Sequence, residues 1–157
     1  MLGRAKTYLA RLAADRGGNL LLEFAFALPV LTLLVLGLVD LGRFGMQKSA
    51  MLQGAREGAQ YGSFQYSDTT AINTTAQNAT GLTGVTATSS VFCECTSGVS
   101  VGCGSTCTGG GPPKRYVTVQ ATKSFSSALG IATVNFGNFG SWTSPTTVSA
   151  TVTMICP

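Results

Sequence analysis

Residues 16–43 read RGGNLLLEFAFALPVLTLLVLGLVDLGR, and the architecture turns on this stretch. From Asn19 to Val39 the run is apolar except for Glu23 and Thr32, and Asp40 bounds it. At a helical rise of about 1.5 Å per residue it spans about 31 Å, close to the hydrocarbon thickness of a bilayer. A cleaved secretory signal has an apolar core of only about 7–15 residues and a small-residue cleavage site after it. No such site follows here, so the run predicts a retained transmembrane helix. Pro29 removes one backbone donor and favours a bend, which neighbouring helices in a membrane accommodate.

Outward from this run, the charges are uneven. Arg4, Lys6, Arg11 and Arg16 stand against Asp15 alone, so residues 1–18 carry +3 of the net +4. The positive-inside rule therefore places 1–18 in the cytoplasm, weakly, because Arg43, Lys48 and Arg56 follow the run. Beyond Asp68 the charged side chains are Glu94, Lys114, Arg115 and Lys123 in a long Gly-, Ser- and Thr-rich tail. Charged residues make up only 10% of the chain, and histidine is absent. A Ser-His-Asp triad, a Cys-His pair and a histidine-based zinc site are thereby excluded. The small basic excess gives no sign of nucleic-acid binding. The acids Glu57, Asp68 and Glu94 form no paired catalytic motif, so a membrane-bound hydrolase is the weakest reading. No catalytic, cofactor-binding or metal-ligating residue is assigned.

Downstream of Asp40 the helical spacing continues through Leu41, Phe44, Met51, Leu52 and Ala55. Ala50, Gly54, Gly58 and Gly62 form a column of small residues at intervals of four, suited to close helix packing. The competing reading is a flexible stalk, because glycine is a poor helix former.

The tail begins with a Thr-, Ala- and Asn-rich stretch, residues 63–88, in which a short helix is expected around Ala71–Ala79. Asn73-Thr74-Thr75 and Asn78-Ala79-Thr80 fit glycosylation sequons, which chance explains in so Thr-rich a segment. Strand patterns are clear later. In RYVTVQATK, Val117, Val119 and Ala121 alternate with polar residues; in TTVSATVTMIC, Val148, Ala150, Val152 and Met154 share a face with Cys156 in phase. Both predict half-buried antiparallel strands. Phe125, Leu129, Ile131, Phe136, Phe139 and Trp142 between them are expected to cover a sheet face. Four of the five cysteines, Cys93, Cys95, Cys103 and Cys107, have spacings unlike a zinc site and suit an oxidising compartment. Two disulfides are expected, either nested (Cys93–Cys107, Cys95–Cys103) or crossed (Cys93–Cys103, Cys95–Cys107), with Cys156 left over.

The junction Arg16-Gly17-Gly18-Asn19, with Glu23-Phe24 just beyond, resembles the site at which prepilin peptidases cut type IV pilins and pseudopilins. The resemblance implies cleavage between Gly18 and Asn19, with Glu23 as the fifth mature residue. It also implies that the Glu23 carboxylate meets the new amino terminus of an adjacent subunit. Glu23-Phe24, Leu28-Pro29, Asp40-Leu41-Gly42-Arg43 and Ala55-Arg56-Glu57-Gly58-Ala59, in that order, resemble the TadE-like family of tight-adherence pilus biogenesis proteins. Gln60 departs from the family pattern, where an arginine is common.

The expected fold is α+β: a long pilin-like transmembrane helix followed by a small, disulfide-stapled, antiparallel β-rich exported domain. Its parts are a basic leader (1–18), the span (19–39), a helical continuation (40–62) and the exported domain (63–157), with a Cys-rich loop at 93–107. The resemblance implies a pseudopilin or minor pilin without enzymatic activity or cofactor, in the inner membrane with its C-terminal domain outside the cytoplasm. Its implied partners are a prepilin peptidase, other pilin subunits with the assembly machinery, and the membrane. The structural competitor is an uncleaved membrane anchor that displays an adhesive domain.

Overall fold

The computed structural model describes residues 16–96, 98–128, 130, 133–135 and 137–157. The basic leader up to Asp15 lies outside the described residues, as do Leu129, Ile131, Phe136 and the side chains of Phe139 and Trp142. The chain divides into two compact units, one ending at Leu41 and the other running from Gly42 to Pro157.

The first unit contains the start of helix α1 (Arg16–Phe64). Pro29 lies inside the helix, where its missing N–H leaves the Ala25 carbonyl without its helical donor. One turn later the Thr32 hydroxyl donates to the Leu28 carbonyl at 2.8 Å, so this polar side chain is satisfied by its own helix. Leucine, valine and phenylalanine side chains from Leu21 to Leu41 are exposed almost throughout. A soluble protein does not leave a surface of this kind uncovered. Among the described residues, α1 is the one helix long and apolar enough to cross a membrane.

Among the described residues, the second unit contains the rest of α1, helix α2 (Thr69–Ala79) and six strands: β1 (Val85–Glu94), β2 (Ser100–Val101), β3 (Lys114–Ser124), β4 (Thr133–Asn135), β5 (Ser141–Thr143) and β6 (Thr147–Ile155). Helix α2 brackets the expected helix. Asp68 caps it, its carboxylate accepting from the Ala71 N–H at 2.9 Å. After the helix, the chain turns through Gly81 at φ +64°, a conformation that glycine adopts without strain.

The main sheet has the order β2-β1-β3-β6, antiparallel at every pairing. A separate hairpin pairs β4 with β5. Strands β3 and β6 follow the alternation in their sequences, with Val117, Val119, Ala121, Val148 and Ala150 buried on one face. Strand β1 was not legible in the sequence, because its inward positions include Ser89 among Ala87, Val91 and Cys93, which blurs the apolar alternation. Its pairing with β3, from Val85↔Lys123 to Glu94↔Lys114, nonetheless makes it an integral strand of the sheet.

The two sheet faces differ chemically. The inward one meets Met51, Ala55 and Ala59 of α1 and Ile72 and Ala76 of α2. Phe125 joins it and meets Phe44 edge to face, with ring centroids 5.4 Å apart. The outward face carries Thr86, Thr88, Ser90, Thr118, Gln120, Thr151 and Thr153, and the Thr118 and Thr153 hydroxyls lie 2.7 Å apart across the strand pair. At the end of this face Phe92 stacks on Tyr116, with centroids 5.3 Å apart.

The four clustered cysteines form the crossed pair of disulfides, Cys93–Cys103 and Cys95–Cys107. Both fasten the segment after β1 to the end of that strand, whose Cys93 pairs with Val101 in the β1–β2 ladder. A cross-link closing a loop of this size contributes about 3 kcal/mol, mainly by restricting the unfolded chain. Replacing Cys95 and Cys107 together by alanine is expected to lower stability by about that amount. Urea unfolding of the full-length protein in detergent, before and after the replacement, measures it.

Candidate functional site

Helix α1 carries most of the residues that the sequence singles out for assembly. The Gly18–Asn19 bond lies within its first turns, and Glu23 follows four residues after Asn19. Glu23 is exposed beside the exposed Leu21, Leu22, Phe24 and Phe26. A carboxylate on such an apolar surface is costly to cover unless a cation or donor meets it.

Farther along α1, Gly54, Gly58 and Gly62 turn inward, and Ala50 is half-buried. The absent side chains are what let α2 and the sheet approach. A Cβ at Gly54 would lie 2.4 Å from Cγ2 of Thr80 and 2.5 Å from the Ala76 carbonyl oxygen. At Gly58 it would lie 2.7 Å from the Ala76 Cβ, and at Gly62 3.0 Å from both Ile72 and Val117. The glycine column therefore contacts α2 and β3 of its own chain. Sequence reading did not pick out the receiving surface, Ile72, Ala76 and Thr80. Its signal was the spacing of four from one to the next, the same period as the glycines they meet.

Thr80 is buried but satisfied, its hydroxyl donating to the Gln77 carbonyl at 2.8 Å and accepting from the Leu82 N–H at 3.2 Å. Lys48 reaches from α1 to donate to the Ser149 carbonyl on β6, and Lys123 donates to the Thr83 carbonyl. Arg115 lies over the Tyr66 ring, 4.0 Å from its centroid, a cation–π contact that holds the segment after α1 to β3.

Cys156 is buried with a free thiol. Burial pushes its pKa up, with the Arg115 charge acting in the opposite direction. It thus behaves as a small core residue, and its backbone N–H donates to the Arg115 carbonyl at 2.8 Å. The acids Glu57, Asp68 and Glu94 are dispersed: Glu57 is exposed on α1, Asp68 caps α2, and Glu94 ends β1.

Comparison with curated proteins and with solved structures gives no match. A family comparison does: residues 18–60, from the second glycine of the junction through Glu23 to one residue past the Ala55–Ala59 motif, are similar to the family described as TadE-like protein.

Proposed function

We propose that the chain is a pseudopilin or minor pilin that takes part in assembling or initiating a tight-adherence-type pilus. The observation that carries this reading is the arrangement on one TadE-like helix of a Gly18–Asn19 junction, a carboxylate four residues on, and an exposed apolar surface. A prepilin peptidase cleaves after Gly18, where the absence of a side chain lets the backbone approach the protease closely. Because the bond sits in helical chain, that end of α1 unwinds for cleavage. The freed amine of Asn19, with a reference pKa near 8, is largely protonated at neutral pH. It meets Glu23 of an adjacent subunit, neutralising both charges in the apolar packing of the helices.

The same reading places the leader in the cytoplasm and the second unit outside it. The four leader bases support that direction, as do two disulfides in the second unit. The chain is then a substrate and structural subunit; the energy and the peptidase activity come from other proteins.

Sequencing the amino terminus of protein taken from membranes that contain an active prepilin peptidase tests the reading. Asn19 is the expected first residue. Recovery of only the full-length chain would overturn the pseudopilin assignment and favour the uncleaved surface anchor.

A further inference from the structure

Within the Ala55–Ala59 motif, internal packing explains the small residues: Ala55, Gly58 and Ala59 are buried against α2 and the sheet. Arg56 and Glu57 have no such explanation. Both are exposed, and among the described residues neither has an ion-pair partner. Their own helix supplies none either. The neighbours of Arg56 at three and four residues are Leu52, Gln53, Ala59 and Gln60; those of Glu57 are Gln53, Gly54, Gln60 and Tyr61.

The two charges are arranged about an outward stripe. Met46, Gln53 and Gln60 recur every seven residues and so lie on one line along α1, with Phe64 one turn beyond Gln60. All four are exposed, Met46 at 75% and Phe64 at 70%. At about 100° per residue, Arg56 falls on one flank of this stripe and Glu57 on the other, at nearly the same height. When two parallel helices pack about a two-fold axis, the left flank of one faces the right flank of the other. A basic flank and an acidic flank at the same height are therefore self-complementary.

We propose that a second copy of this chain packs against that stripe in parallel, two-fold fashion, with Arg56 of each helix opposite Glu57 of the other copy. Gln53 and Gln60 lie at the centre of the seam, where their amides hydrogen-bond across it, and Met46 and Phe64 supply apolar contact towards its ends. The parallel direction rests on the membrane-anchored reading above, since copies inserted the same way carry α1 the same way. Exposed ion pairs add little affinity but select partner and register, and this is the role of Arg56 and Glu57 here.

Oxidative cross-linking of full-length Gln60→Cys protein in native membranes tests the pairing. A cross-linked dimer is expected. Arg56→Glu or Glu57→Arg alone, which sets like charges against each other in both pairs, lowers its yield by about three- to tenfold. The two reversals together restore it. Non-reducing peptide maps that recover Cys93–Cys103 and Cys95–Cys107 in each variant establish that the second unit remains folded. No dimer from Gln60→Cys, unchanged yield in the single reversals, or a joint reversal as weak as either single one would each overturn the pairing. Sequencing the amino terminus of the same samples separates this from the pilus reading. Absence of dimer in protein that begins at Asn19 removes the pairing alone, whereas a charge-dependent dimer that retains Met1 upholds the pairing and removes the peptidase reading.

Discussion

Glu23→Gln is expected to reduce pili sharply while leaving membrane insertion intact. An amide is less costly than a carboxylate in an apolar helix, so insertion persists or improves. On the proposed reading, what disappears is the negative partner for the protonated amine at Asn19 of a neighbouring subunit. A buried charge deprived of its partner costs about 3–5 kcal/mol, which is more than about a hundredfold in an association equilibrium. The measurement compares membrane level, Gly18 processing and pilus number in the same cells. Normal processing is required, because impaired cleavage would be a separate defect. Normal pilus number with intact processing would remove the assigned role of Glu23 and leave the cleavage prediction standing.

Gly54→Ala is expected to destabilise the second unit although it improves helix propensity. Propensity alone favours alanine by about 1 kcal/mol. The added Cβ, however, would lie 2.5 Å from the Ala76 carbonyl oxygen, a backbone atom of α2, as well as 2.4 Å from Thr80. Relieving that overlap requires α2 to move from its seat on α1 and the sheet. Overpacking of this kind costs about 1–3 kcal/mol or more, and at so short a backbone contact the upper end applies, leaving a net loss of about 2 kcal/mol. Gly45→Ala supplies the contrast, because nothing lies within 4 Å of a Cβ there. It should stabilise by up to about 1 kcal/mol. Unfolding of the full-length variants in detergent, followed by near-ultraviolet circular dichroism, distinguishes them. Equal effects at both positions would show that the close approach at Gly54 is not the controlling interaction.

These substitutions mark where sequence reading ends. The glycine column could be located from its period of four, but a column of absent side chains does not say what approaches it. The approaching groups are Ile72 and Ala76 of a helix whose own sequence, TTAINTTAQNA, is weakly apolar, together with its C-capping Thr80. The outward charges Arg56 and Glu57 had the same difficulty. They sit among small residues in the motif, and only the burial of Ala55, Gly58 and Ala59 separates the inward side from the outward one.

The sequence by itself determined the elements whose physics is local. A long apolar run broken by one carboxylate, Glu23, has to be a helix if it is to satisfy its backbone away from water, and this places α1. Strict alternation placed β3 and β6, because a period of two puts all their apolar residues on one face. Cysteine number and spacing implied two disulfides. Tertiary structure decided what depends on partners distant in the chain. It chose the crossed pairing over the nested one: Cys93 lies on β1 and pairs with Val101 of β2, two residues before Cys103, while Cys95 follows the end of that strand. It made a strand of Val85–Glu94, whose Thr- and Ser-rich sequence carries little alternation but whose backbone completes its hydrogen bonds against β3. Tertiary packing also turned Gly54, Gly58 and Gly62 of α1 inward, because only there does a missing Cβ allow a second helix to bury Ile72 and Ala76 against the sheet.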